Sequence, residues 1–322
     1  MNNVIVTFST DDETRKLIRE FIPEVVFING LSGYERLDAI KNASILFAWN
    51  INRELSHDEI KLLSGIKFIQ LLSAGADHLP FESLPVDAVI ASNAGAYAAA
   101  MAEHVLGMIL ALSKNLLQGH KKLKNLEFDH SVMSGYIRGS VCGILGFGGI
   151  GKAVAELMIP FEAKIYAINT SGKTDERVDF IATLNDIDTV LRESDILVIA
   201  LPLTKYTRGV IGERELGLMK HNAILVNVAR GDIINEKALY DHLKDNPDFK
   251  AGIDAWWIEP FRSGEFRMTY PFLDLPNVIG SPHNSALVKA TLVEAVRYAA
   301  KNVSAFINGK SIKGLIRRSD YV

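Results

Sequence analysis

Six consecutive residues near the middle of the chain, Gly146-Phe147-Gly148-Gly149-Ile150-Gly151, fit the spacing G-x-G-x-x-G. A turn of this kind can hold the diphosphate of a dinucleotide if a strand delivers it and a helix leaves it. The glycines then let the backbone turn tightly and approach the ligand, and the first amides of the helix face the anion. Both flanks qualify, since the apolar run Val141 to Leu145 precedes the turn and the helix-like Lys152 to Met158 follows it. Gly146 is expected at the tight turn, Gly148 at the point of closest approach and Gly151 where helix and strand pack. Further along, Arg230 follows the apolar run Ala223 to Val228, at the strand end where open parallel sheets place ligand-binding residues.

These residues need strands and helices in alternation to position them. Short runs rich in Val, Ile, Leu and Phe recur at Val4 to Phe8, Ser44 to Trp49, Lys67 to Leu72 and Ala88 to Ser92. A second series runs through Val141 to Leu145, Lys164 to Ile168, Asp195 to Leu201, Ala223 to Val228, Ala251 to Ala255 and Val278 to Gly280. Helical patterns lie between them, so the sequence predicts an α/β protein with two parallel-sheet units. A continuous helix from about Ala98 to Leu117, rich in Ala, Leu and Met, is expected to carry the chain from one unit to the next. After His283 the spacing of Leu287, Thr291, Ala295, Tyr298, Val303 and Phe306 predicts a last helix, free to return to the first unit. The stretch from Phe261 to Pro276 is the most loop-like.

The bulk properties narrow the function. A chain of 322 residues exceeds the size of a typical single core, which agrees with two domains. A net charge of -3 gives no electrostatic reason to expect a nucleic-acid partner. The single cysteine, Cys142, allows neither a disulfide framework nor a thiolate metal cluster, and a cytoplasmic setting is expected. The apolar stretch Ala98 to Leu112 is shorter than the ~20 residues a bilayer demands and contains Glu103 and His104, so no membrane association is expected. His57, His78, His120, His130, His221 and His242 show no metal-ligand spacing, and no metal is expected.

Three later segments carry a resemblance. Leu225-Val226-Asn227-Val228-Ala229-Arg230-Gly231-Asp232 is similar to a signature of the D-isomer-specific 2-hydroxyacid dehydrogenase family. Gly252-Ile253-Asp254-Ala255-Trp256-Trp257-Ile258-Glu259-Pro260 resembles that family's glutamate segment, and Ser281-Pro282-His283-Asn284-Ser285-Ala286 its histidine segment. The likeness includes Ser73-Ala74-Gly75-Ala76-Asp77-His78 and Leu201-Pro202-Leu203-Thr204, and is weakest at both ends of the chain. It implies two doubly wound parallel-sheet domains, one Rossmann-type for the cofactor and a smaller flavodoxin-like one for the substrate. Residues 1–96 and 286–322 would form the substrate domain and residues 97–285 the dinucleotide domain, with the active site in the cleft between them and a homodimer built through the cofactor domain.

The activity so implied moves a hydride between a nicotinamide cofactor and a small 2-oxo or D-2-hydroxy acid. Such a reaction needs a cation to anchor the carboxylate and polarise the carbonyl, and a group that exchanges a proton with the oxygen. Arg230 suits the first role, because its planar fork holds a carboxylate in one orientation at any working pH. His283 suits the second, being the proton donor of near-neutral pKa in these segments, and Glu259 would orient it. Ser73, Ala74 and Gly75 would bind the substrate with Arg230 and His283. Gly146 to Gly151, Asn169, Thr170, Ser171, Lys173, Pro202, Thr207, Val228, Ala229, Arg230, Asp254 and His283 would contact the cofactor.

NADP is expected over NAD, which stays as the alternative. An acid normally stands about 20 residues beyond the glycine turn to bind the ribose hydroxyls. Neutral Asn169 stands there instead, followed by Thr170, Ser171 and Lys173, with Arg177 beyond. Other readings of the fold are a dinucleotide-sensing corepressor, a phosphite dehydrogenase and a formate dehydrogenase, and formate enzymes have glutamine where this chain has Glu259. The indole pair Trp256-Trp257, where smaller or single aromatics are usual, either narrows the substrate site or packs under the strand.

Overall fold

A computed structural model describes residues 3–322. The chain forms two compact units: the residues up to Tyr97 join Val288–Val322 in the first, and Ala98–Leu287 form the second. The sequence had put these boundaries one residue earlier at the first crossing and two earlier at the second.

In the first unit, β1 (Val4–Val6), β2 (Val26–Phe27), β3 (Ile45–Ala48), β4 (Phe68–Leu71) and β5 (Val89–Ala91) pair in the order β2-β1-β3-β4-β5. Every pairing is parallel. This is the flavodoxin-like order, and its strands, Gln70 apart, are apolar runs because helices cover both faces. The last helix, Lys289–Ile307, belongs to this unit, where it packs on the helix Asp12–Phe21 and on β4. Phe306 on that helix stacks on Phe68 with ring centroids 4.3 Å apart. Asn302, also on it and buried, donates to Gln70 Oε1 at 2.6 Å, so the returning helix is fixed by a polar contact as well as by burial.

In the second unit, β6 (Val141–Leu145), β7 (Lys164–Ile168), β8 (Phe180–Ala182), β9 (Ile196–Ile199), β10 (Ile224–Asn227), β11 (Lys250–Ile253) and β12 (Val278–Gly280) pair in the order β12-β11-β10-β9-β6-β7-β8, again all parallel. Read from β6, this is the doubly wound dinucleotide-binding order with one strand added at the far edge. The order reverses between β6 and β9, so the turn after β6 opens at the switch point where such sheets bind ligands.

The predicted helix from Ala98 to Leu117 is two helices, Ala98–Ser113 and Leu116–Lys124, meeting at 58°. Asn115 sits between them in the left-handed region at φ 51°. The ammonium of Lys250, at the start of β11, donates to Leu112 O at 2.9 Å and to Asn115 Oδ1 at 2.6 Å. A cation therefore caps the carbonyl end of the first helix, where its dipole is negative, and the chain turns there. Among the described residues no single helix is long and apolar enough to cross a membrane.

Candidate active site

The turn after β6 behaves as its glycines require. Gly146 has φ 101°, and a Cβ there would stand 2.6 Å from the carbonyl group of Ala200. At Gly151 a Cβ would run into Gly146 O, so strand and helix could not close on each other. Gly148 differs: it caps the helix Gly149–Met158, and a Cβ on it would meet nothing within 4 Å. The protein itself does not need a glycine at 148, and the first amides of the helix have no partner within the helix. The amides of both Gly146 and Phe147 donate to Ile168 O, at 3.0 and 2.8 Å, and the Phe147 ring is buried. Phe147 shapes the turn, and its amide is already spent.

Beyond β7 the loop closes on Asn169. Its Oδ1 accepts from Ser171 N at 3.1 Å, Ser171 Oγ at 3.2 Å and Gly172 N at 2.7 Å, while its Nδ2 donates to Lys173 O at 2.8 Å. Asn169 thus builds the loop that Thr170, Ser171 and Lys173 present to solvent. After β9, Thr207 is buried and donates to Pro202 O at 2.6 Å, which folds those two expected cofactor residues into one loop.

Arg230 stands half-buried three residues past β10, on a turn pinned by Asn227. The buried Asn227 side chain accepts from Ala229 N at 3.0 Å and donates to Arg230 O at 2.9 Å. Arg230 Nη1 donates to Ala229 O at 2.8 Å. Gly231 explains how this turn meets the next one. A Cβ on it would stand 2.5 Å from the backbone of Trp256, so only glycine lets the arginine turn lie against the glutamate segment.

That segment leads from β11 to Glu259, whose side chain is 2% exposed. Glu259 Oε1 accepts from Trp256 N at 2.8 Å and from His283 Nδ1 at 2.7 Å, whereas the buried Oε2 has no protein partner. A carboxylate can only accept, so Nδ1 carries the proton and Nε2 is the ring atom left for chemistry. Phe261 packs edge-on against the imidazole, centroids 4.9 Å apart.

His283 itself has φ 50°. A residue with a Cβ holds that conformation at a cost of about 1–2 kcal/mol, so its surroundings must impose it. Asp254, fully buried, does this. Its backbone O accepts from His283 N at 3.0 Å. Its carboxylate accepts from Asn284 N at 3.1 Å, Ser285 N at 3.3 Å and Ser281 Oγ at 2.5 Å. Asp254 was expected beside the cofactor; here its oxygens hold the histidine turn.

Both indoles pack inside the second unit. Trp256 is 3% exposed, donates to Ser281 O at 2.8 Å and lies edge-on to Phe272, while Trp257 donates to Ile234 O and stacks on Phe272. Of the two alternatives for this pair, packing holds. In the first unit Ser73, Ala74 and Gly75 form a half-buried turn just past β4, where Ser73 Oγ donates to Gly75 O at 2.8 Å and Ser73 O accepts from Asn93 N. Burial pushes the Tyr97 hydroxyl of that unit up to about 12. Burial likewise pushes the Cys142 thiol up to about 12, which removes it as a nucleophile.

Asn227, Gly231 and Ser281 lie inside the family-like segments with no role expected of them, and His104 was noted only as a polar residue within an apolar stretch. Arg230 announced its turn by charge at a strand end, but nothing local marks Gly231, whose constraint comes from backbone 25 residues away.

With this geometry in hand, likeness to known proteins is informative. Residues 106–285 match the family model "D-isomer specific 2-hydroxyacid dehydrogenase, NAD binding domain". The chain is 30% identical, over 98% of its length, to D-3-phosphoglycerate dehydrogenase of Methanocaldococcus jannaschii, and spans 59% of that protein. It is also 30% identical to hydroxypyruvate reductase of Thermotoga maritima, over 76% of this chain and 77% of that one. Among solved structures, a "putative formate dehydrogenase" from Pyrobaculum aerophilum superposes with a TM-score of 0.83 at 27% identity, covering 99% of this chain and all of that one.

Proposed function

Since the chain belongs to the D-isomer-specific 2-hydroxyacid dehydrogenase family, we propose that it reduces a small 2-oxo acid to the D-2-hydroxy acid, and the reverse, with NADP(H) favoured over NAD(H). The observation that carries the reading is the Glu259–His283 pair, 2.7 Å apart, on a backbone that the protein holds against its own preference.

The nicotinamide, when bound, supplies or takes the hydride. The helix amides from Gly149 to Gly151, beneath the clear space at Gly148, would hold its diphosphate. Pro202, Thr207, Val228 and Ala229 would border it, and the loop from Asn169 to Lys173 would meet the adenosine ribose. Arg230 would grip the substrate carboxylate with its guanidinium fork and draw electron density toward the carbonyl oxygen. His283 Nε2 would give its proton to that oxygen during reduction and take it back during oxidation. Glu259, held by Trp256 N, keeps Nδ1 protonated and the ring aimed. Glu259 also argues against formate as substrate, since formate enzymes resemble this pattern with glutamine there.

A screen of glyoxylate, hydroxypyruvate, pyruvate, phenylpyruvate and branched 2-oxo acids with NADPH and NADH tests the proposal. Turnover of at least one acid is expected. Binding of dinucleotide with no turnover of any of them would turn the reading toward a sensor protein.

The same reading includes a homodimer. No residue of the helix Leu116–Lys124 is buried, and Leu126, Phe128 and Met133 beyond it are 95%, 83% and 88% exposed. A second copy covering this arm would remove that apolar surface from water. Sedimentation at micromolar concentration should give twice the chain mass of 35.5 kDa.

A further inference from the structure

His283 is one end of a hydrogen-bonded chain whose other end lies on a different element. Asp254 clamps the histidine turn with its backbone carbonyl and both carboxylate oxygens, and is fully buried. A buried carboxylate is stable only if donors or a cation offset it. Ser281 Oγ supplies one donor, at 2.5 Å from Oδ1. The Ser281 hydroxyl has a single proton and spends it there, so its oxygen must accept from the next group, His104 Nε2, at 3.0 Å. That nitrogen is also 3.8 Å from Asp254 Oδ1, within ion-pair range.

The placement of His104 is built into the second unit. It lies on the helix Ala98–Ser113, one turn before Met108, so the two share a face. Met108 is seated over β11, where Gly252 makes room for it: a Cβ at 252 would stand 2.9 Å from its sulfur. The helix is thereby locked onto the sheet at the level where His104 reaches Ser281.

We propose that His104 is a positioning residue for the reaction, acting through Ser281 and Asp254 to hold the left-handed turn that aims His283. The inference rests on the proposed dehydrogenase reading for its kinetic consequence, but not for its structural one. His104 touches Ser281 and Asp254 directly; its effect on His283 passes through them.

The test combines three variants with two readouts. His104→Ala removes the donor, His104→Gln keeps an N–H donor at similar reach, and Ser281→Ala cuts the link while leaving His104 in place. In the cofactor-free protein, His104→Ala and Ser281→Ala should each move the His283 imidazole resonance, and His104→Gln should leave it near its wild-type position. In turnover, His104→Ala should lower kcat about 10-fold with little change in KM for the cofactor. His104→Gln should stay within about 2-fold of wild type, and adding His104→Ala to Ser281→Ala should cost no more than Ser281→Ala alone. An unmoved resonance in His104→Ala with kcat within 2-fold of wild type would overturn the proposal, as would additive losses in the double variant. If His104→Ala fails to fold, His104→Leu, which fills the space but has no donor, takes its place with the same expected outcomes and the same overturning result. If the wild type turns over no 2-oxo acid, the functional reading fails, while the resonance still decides the role of His104.

Discussion

Two loops of the second unit, both at the carboxyl ends of its parallel strands, are held in opposite ways. The His283 turn after β12 is fixed from outside itself. Asp254 and Glu259, from the segment after β11, hold its backbone and its ring, and both are almost wholly buried. The Asn169 loop after β7 is fixed from within, by one side chain that bonds residues two to four places along. The first arrangement stores backbone strain and depends on distant segments, as expected where a proton must pass at one place. The second can change its side chains without disturbing the fold, as expected where only the choice of ligand is at stake.

If the His283 turn exists to deliver a proton, removing the imidazole should produce the largest loss in the molecule. His283→Ala is expected to lower turnover roughly 100- to 10,000-fold while dinucleotide affinity, measured by fluorescence titration, stays within a few-fold of wild type. The alanine also leaves Glu259 buried without its donor, so some fall in melting temperature should accompany the loss. A variant retaining a third of wild-type turnover, with hydride transfer shown to be limiting, would remove His283 from the chemistry.

Glu259→Gln should act more gently and differently. The amide can still accept at Oε1 from Trp256 N and from the imidazole, so the turn keeps its shape, but the negative charge beside the ring is gone. An opposite charge favours the protonated imidazole, and its loss favours the neutral one. Reduction needs the protonated form, so the upper limb of the reductive pH profile should move to lower pH. The oxidative profile should extend in the same direction. Profiles that superpose on wild type would mean that Glu259 only packs.

The same contrast explains what could be read from the residues beforehand. The Asn169 loop and the glycine turn are local, and their types and spacing identified them. The long buried strands were legible for the same reason, since β6 and β9 are continuous apolar runs and β10 is apolar up to Asn227. The two strands that went unread, β2 and β8, are edge strands of two and three residues with no fully buried position, too short to show a pattern. The break at Asn115 escaped notice because its cause, Lys250, lies 135 residues away. The part Asp254 plays in the histidine turn was hidden on similar grounds: its sequence neighbourhood says strand end, and its partners at Ser281, Asn284 and Ser285 are 27 to 31 residues off. Family likeness singled out Arg230, Glu259 and His283, and the structure adds what holds them.

The smallest effect should come from the self-contained loop. In Asn169→Asp the carboxylate can still accept from Ser171 N and Gly172 N, so the turn is kept, and only the donation from Nδ2 to Lys173 O is lost. Because the loop is exposed, the melting temperature should change little. The consequence is electrostatic. A carboxylate at this position accepts from the ribose hydroxyls of NAD and repels the 2'-phosphate of NADP, whereas Asn169 leaves the loop neutral, with Ser171 and Lys173 near enough in sequence to contribute donors. A hydrogen bond to a charged group contributes roughly 1.5 to 3 kcal/mol, so the wild type should favour NADPH over NADH by on the order of 10- to 100-fold in kcat/KM. Asn169→Asp should shift that ratio toward NADH by at least about 10-fold while kcat at saturating cofactor stays near wild type, since the His283 turn is untouched. A wild type with equal constants, or one that prefers NADH, would show that a neutral residue at 169 is merely permissive. A loss of kcat in Asn169→Asp as large as that in Glu259→Gln would show that the two loops are not independent.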